Sequence, residues 1–211
     1  MDAIIFDLDG VICFTDEYHY LAWKALADEY NIPFDREVNN RLRGVSRMAS
    51  LEIILEKYTG PELSDEEKAA MAEKKNTLYR EYLKQMSPKD LSDEVKETLD
   101  LLKQRHCKLA IGSSSKNTPF ILERIGLKGY FDAVSDGNNI TKSKPDPEVF
   151  LKAAGMLKED PKDCLVVEDA VSGAEAGHAG GFKVACLGDA SKEQAGDYNM
   201  ESFKDLLNIA I

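Results

Sequence analysis

Two aspartates one residue apart, followed by a glycine, end an apolar run near the start of the chain: Ala3-Ile4-Ile5-Phe6-Asp7-Leu8-Asp9-Gly10. Carboxylates this close repel, and the repulsion separates their pKa values. One can then serve as an ionised nucleophile or metal ligand and the other as a proton donor. An isolated Asp-x-Asp-Gly also occurs as a solvated turn, so the pair needs partners. Three later stretches supply candidates. Ser113-Ser114-Ser115-Lys116-Asn117 follows the apolar residues 109–112 and precedes a helical pattern, where hydroxyls and free N–H groups form an anion site. Lys144 stands before Pro145-Asp146-Pro147, a rigid turn that holds its ammonium in position. Glu168 and Asp169 end the apolar residues 164–167 and, with Asp7, offer the hard oxygen ligands that Mg2+ prefers. An aspartate nucleophile facing a phosphate dianion needs such a cation, because their approach is otherwise strongly repulsive.

The elements that must position these groups follow from the patterning. An apolar run without polar alternation suits a strand covered on both faces of a parallel sheet, and ligands bind outside the carboxyl ends of such strands. Strands are expected at 3–6, 109–112, 131–134, 164–167 and 183–187. Helices are expected at 93–105, 117–125, 147–157, 170–179 and near 203–209. This alternation predicts an α/β fold with a doubly wound, Rossmann-like parallel sheet. Before it, residues 15–30, 35–42, 46–58 and 64–86 read as successive helices with no strand between them, too much for one crossover, so an all-helical cap is inserted. The expected division is residues 1–13 and 86–211 for the core and residues 14–85 for the cap. Thr15-Asp16 is expected to cap the first helix, Ser64-Asp65-Glu66-Glu67 forms a capping box, and Asp146-Pro147 supplies an N-cap and an N1 proline. The segment 170–181 carries Gly173, Gly177, Gly180 and Gly181, more glycine than a stable helix prefers, which implies close approach or local mobility.

A net charge of −11 disfavours nucleic acid, so a phosphorylated small molecule must find a local basic pocket. No apolar run approaches a membrane span, and no basic, cleavable leader opens the chain. Cys13, Cys107, Cys164 and Cys186 are widely spaced, as reduced core thiols are. A cytoplasmic monomer without membrane or nucleic-acid partners is expected.

Asp7-Leu8-Asp9-Gly10-Val11, Ser113, Lys144 and Glu168-Asp169, in that order at strand ends, resemble the four motifs of the haloacid dehalogenase superfamily. The resemblance covers essentially the whole chain. It implies Asp7 as the phosphorylated nucleophile, Asp9 as general acid and base, Ser113 and Lys144 on the transferring phosphoryl group, and Mg2+ held among Asp7, Asp9, Glu168 and Asp169. Residues 15–26, Gly44-Val45-Ser46-Arg47, Lys74-Lys75-Asn76 and residues 115–120 resemble the mutase branch of that superfamily. That branch interconverts β-glucose 1-phosphate and glucose 6-phosphate, with glucose 1,6-bisphosphate as activator and intermediate. The resemblance then implies Thr15 and His19 at the hinge beside Asp9. It places Arg47 with Lys116 and Asn117 on a distal phosphate, Ser114 and Ser115 in the phosphate loop, and Trp23, Gly44, Val45, Ser46, Ser50 and Lys75 on the sugar side. The alternative is a Mg2+-dependent sugar-phosphate phosphatase that uses the same Asp7 and Asp9 but gives the phosphoryl group to water. Cys13-Phe14 at the hinge and Ser114 in the phosphate loop depart from commoner residues of the family.

Overall fold

Ile4 and Phe6 of the first strand β1 (Ala3–Phe6) pack into one hydrophobic cluster and Ala3 and Ile5 into another, and all four are fully buried. The uninterrupted apolar run thus reflects two covered faces. The structure is a computed structural model and describes residues 2–43 and 45–209. Gly44, assigned to the sugar side, lies outside the described residues.

The sheet adds β2 (Lys108–Gly112), β3 (Ala133–Ser135), β4 (Cys164–Glu168), β5 (Lys183–Cys186) and β6 (Tyr198–Asn199). All pairings are parallel, in the order β3-β2-β1-β4-β5-β6. The chain leaves β1 toward β2 on one side and returns to β4 on the other. That reversal opens a crevice at the carboxyl ends of the central strands. Register decides what meets there: Phe6 pairs with both Ile111 and Val167, so Asp7, one residue on, stands level with Gly112 and Glu168.

Helices cover both faces. On the face of Ile4 and Phe6 lie α5 (Asp93–Gln104) and α6 (Thr118–Arg124), and on the face of Ala3 and Ile5 lie α7 (Glu148–Leu157) and α8 (Val171–Ala179). Between β1 and α5 the chain forms α1 (Asp16–Glu29), α2 (Arg36–Asn40), α3 (Arg47–Leu55) and α4 (Asp65–Leu83), with no strand among the described residues there. These four helices share a third cluster built around Trp23, Leu26, Leu51, Ile54 and Met71. The fold is therefore the expected doubly wound α/β sheet with an all-helical insertion.

Four local expectations change. Pro147 is itself the N-cap residue of α7 rather than its first helical residue, and Asp146 before it accepts the Glu148 N–H at 3.0 Å. The helix near 203–209 is a 3-10 helix, Phe203–Asn208, whose buried Phe203 and Leu206 recur at three residues rather than 3.6. The helix expected over 35–42 is only Arg36–Asn40. Thr15 precedes α1, but its hydroxyl makes no cap bond and instead accepts the Tyr79 hydroxyl at 3.1 Å. The two-residue β6 and the five-residue helix α9 (Gly188–Lys192) are too short for any sequence period to mark.

The glycines of α8 reflect close approach. A Cβ on Gly173 would lie 1.9 Å from Glu168 Oε1, and one on Gly177 would lie 2.6 Å from Val184 Cγ2. Gly173 thus lets the helix close over the Glu168 carboxylate.

Candidate active site

Asp7, Glu168 and Asp169 bring one carboxylate oxygen each within 4.8 Å of one another at the carboxyl ends of β1 and β4. Gly10 makes room for this convergence. Its φ is +85°, and a Cβ there would lie 2.1 Å from Asp169 Oδ2. Lys144 Nζ donates to Asp7 Oδ1 and to Glu168 Oε1, both at 2.5 Å, and its side chain is only 2% exposed. Burial pulls the Lys144 pKa down, but the Asp7 and Glu168 charges outweigh it and hold it above the ordinary lysine range. Glu168 Oε2 also accepts the N–H groups of Asp169 and Ala170, at 3.0 and 3.1 Å. Two of the three carboxylates then share one ammonium. Burial, the Glu168 charge and Asp7 push the Asp169 carboxyl up to about 9. Hard oxygens with an excess of negative charge suit a divalent cation.

The carboxylate of Asp9, a residue expected among the metal ligands, is not part of that side-chain triad. The turn after β1 directs it toward the helical insertion, where Oδ1 accepts the Thr15 N–H at 2.8 Å. Burial and the charge of Asp16 push its pKa up to about 7, against the pull of Thr15. A carboxyl poised there can both give and take a proton near neutrality.

Beside Asp9, His19 Nε2 lies 3.8 Å from Oδ2, and His19 Nδ1 is 2.8 Å from Lys75 Nζ. The imidazole stacks on Tyr79 at 4.0 Å. Burial and the cations Lys75 and Arg47 lower the His19 pKa well below its ordinary value, and burial and Arg47 do the same to Lys75. The Lys75 amine and the His19 imidazole hydrogen-bonded to it are thereby both held toward neutrality beside Asp9.

Ser113 directly follows β2 and accepts the Ser115 N–H at 3.2 Å, which leaves its own proton free to donate outward. Ser114, Ser115, Lys116 and Asn117 continue along the same wall. Asn117 does not cap α6; its Nδ2 donates to Asn76 Oδ1 of α4 at 2.9 Å, a buried bond between the insertion and the sheet domain. Across the cleft, Ser46 caps α3 by accepting the Ala49 N–H, and Arg47 follows it. Trp23, Val45, Ser50 and Lys75 line the same side, with Trp23 and Lys75 also almost fully buried. The cavity so enclosed is about 600 Å³. Thr15 alone of the described candidates lies behind its wall.

Asp16, Arg43, Glu73 and Tyr79 also belong to the site, and the motifs alone do not assign them to it. Arg43 binds Asp16 and, at 3.3 Å, Asp189 of α9, so it ties the insertion to the far edge of the crevice. Tyr79 falls one turn beyond Lys75, a spacing that puts both on one helix face and is legible in sequence.

Fold and site together define a phosphotransferase-like α/β scaffold, and the chain belongs to the haloacid dehalogenase-like hydrolases, whose family model matches residues 1–181. The chain is 40% identical over 212 residues to the β-phosphoglucomutase of Bacillus subtilis, covering 98% of this chain and 92% of that one. A phosphorylated carbohydrates phosphatase of Thermotoga maritima is 30% identical over 87% of this chain and 83% of its own length. The crystal structure of a β-phosphoglucomutase from Clostridium difficile superposes with a TM-score of 0.91 at 34% identity, covering 98% and 93% of the two chains.

Proposed function

We propose that this chain is a Mg2+-dependent β-phosphoglucomutase, interconverting β-glucose 1-phosphate and glucose 6-phosphate through an aspartyl phosphate and glucose 1,6-bisphosphate. The observation that carries the reading is full-length likeness to a mutase combined with a cleft whose two walls each present a cation. Lys144 lies at the carboxylate end and Arg47 on the helical side. A bisphosphorylated sugar that must bind in either orientation needs two such ends.

In this reading residues 14–85 form a cap. The sugar 6-hydroxyl attacks the phosphorus of phosphorylated Asp7, and Asp9 takes the hydroxyl proton as the P–O bond to Asp7 breaks. After the bisphosphate turns over, an Asp7 oxygen attacks the phosphorus on C1, and Asp9 returns its proton to the departing sugar oxygen. Ser113 and Lys144 hold the transferring group, while Arg47, Lys116 and Asn117 hold the other phosphate. Bound among Asp7, Glu168 and Asp169, Mg2+ supplies charge that offsets repulsion between Asp7 and the phosphoryl oxygens. The bond between Asn76 and Asn117 and the Thr15 contact to Asp9 support a cap that excludes water when closed. Four buried free cysteines and a cleft completed within one chain support a cytoplasmic enzyme acting as a monomer.

The test is a coupled assay on both anomers of glucose 1-phosphate with Mg2+ and a trace of bisphosphate. Glucose 6-phosphate should form from the β anomer alone. Free phosphate released as fast as the substrate disappears would establish the phosphatase reading instead.

Removing the metal should show in stability. The folded protein holds the Asp169 carboxyl at about 9 against an ordinary 3.8, so it binds that proton more tightly than the unfolded chain. The metal-free fold therefore loses stability as pH rises from about 4 toward about 9. At about pH 8, Mg2+ at about 100 times its dissociation constant should add about 2.7 kcal/mol, a rise of about 5–11 °C in melting temperature, and the same Mg2+ concentration should give a smaller rise at about pH 5, where protonated carboxyls weaken binding. Equal rises at about pH 5 and about pH 8 would refute the assigned ligand set.

A further inference from the structure

We propose that Glu73 is a built-in stand-in for the substrate's distal phosphate: it holds Arg47 in the empty cleft and is displaced when that phosphate arrives. The proposal rests on Arg47 being the distal-phosphate residue.

Arg47 Nη1 donates to Glu73 Oε2 at 3.1 Å, and both residues line the cleft. The other carboxylate oxygen, Oε1, accepts Asn76 Nδ2 at 3.4 Å, and Asn76 Oδ1 accepts Asn117 Nδ2 at 2.9 Å. One carboxylate thus links the arginine of the helical side to the bond that joins α4 to the phosphate loop. Its position suits a group that must let go. The Glu73 side chain is 68% exposed, whereas that of Arg47 is 26% exposed. An ion pair with one partner in water is weak. Among the described residues no second carboxylate reaches the Arg47 guanidinium, so Glu73 engages one nitrogen of a fork that a phosphate can engage with two oxygens. A dianion offering two hydrogen bonds outcompetes a monoanion offering one, whereas an uncharged sugar cannot. The exchange also reaches the acid–base end, because Arg47 is among the cations that lower the pKa values of His19 and Lys75. Replacing one negative charge on Arg47 by two weakens that effect when substrate is aboard. Glu73 is therefore a positioning residue, acting through Arg47.

Glu73→Gln keeps an oxygen for Asn76 and the side-chain volume while removing the charge. It should lower KM for β-glucose 1-phosphate about two- to five-fold without raising kcat, and strengthen inhibition by inorganic phosphate by a similar factor. In an Arg47→Ala background the same change should leave KM unmoved. If Arg47→Ala raises KM but Glu73→Gln leaves it unchanged or raises it, the stand-in role is refuted while the distal site survives. If Arg47→Ala alone leaves KM unchanged, the distal-phosphate reading of Arg47 has failed.

Discussion

Asp7→Asn should reduce turnover of β-glucose 1-phosphate by about 10⁴-fold or more and eliminate the acid-labile phosphoenzyme, because an amide oxygen does not form the acyl phosphate. The substitution conserves shape, so the loss is chemical rather than structural. Asp7 sits at the end of a fully buried strand and accepts from Lys144 at 2.5 Å. Lys144 keeps its second partner, Glu168, at the same distance, so the ammonium is not left unpaired. Removing the Asp7 charge also relieves its repulsion of Asp169, which leaves the melting temperature of the metal-free variant equal to or above that of the parent. Rapid quench with labelled bisphosphate, followed by denaturing gel, reads the phosphoenzyme directly. Label still bound to the Asp7→Asn variant would move the nucleophile elsewhere, and a variant that unfolds would show that Asp7 is structural.

The skeleton of this site is legible in the sequence because a parallel sheet converts position along a strand into position in space. Once Ile4, Ile111 and Val167 are recognised as strand residues, the polar residues that follow must emerge at one edge, and Asp7, Ser113 and Glu168 do. Lys144 is less obvious, since it follows a loop after β3 rather than a strand, yet it reaches two of those carboxylates. Pairings between helices were not legible. The chain holds 38 acidic and 27 basic residues, so nothing in sequence singles out Glu73 for Arg47 or Asp16 and Asp189 for Arg43. Gly173 shows a further limit. Sequence registers only its poor helix propensity, whereas its cause is the Glu168 carboxylate beneath it. Asp9 shows the same limit in direction: the family resemblance implies a place among the metal ligands, and only the turn at Gly10 reveals that its carboxylate faces Thr15 and His19.

Lys144→Ala should produce the largest loss of stability among single changes at the site. The Lys144 and Glu168 side chains are each 2% exposed, and that of Asp7 is 11% exposed. Without the ammonium, the buried Asp7 and Glu168 carboxylates lose the cation they share. Removing one partner of a buried pair costs about 3–5 kcal/mol, a fall of about 6–20 °C in melting temperature for a chain of this length. Cavity formation is the competing cause, and Lys144→Met separates the two. Lys144 Nζ lies 4.6 Å above the Phe150 ring, so a methionine fills the same space with an apolar chain. If charge dominates, Met destabilises nearly as much as Ala at neutral pH, and acid restores both variants. The sign follows from Glu168: burial already raises its pKa, and loss of the lysine raises it further. The variant's folded state then binds a proton more tightly than its unfolded state, so its stability deficit shrinks as pH falls. A saturating divalent cation should restore part of the stability at neutral pH by supplying the missing charge. A methionine variant as stable as the parent at neutral pH would show that packing, not charge pairing, holds this end of the cleft together.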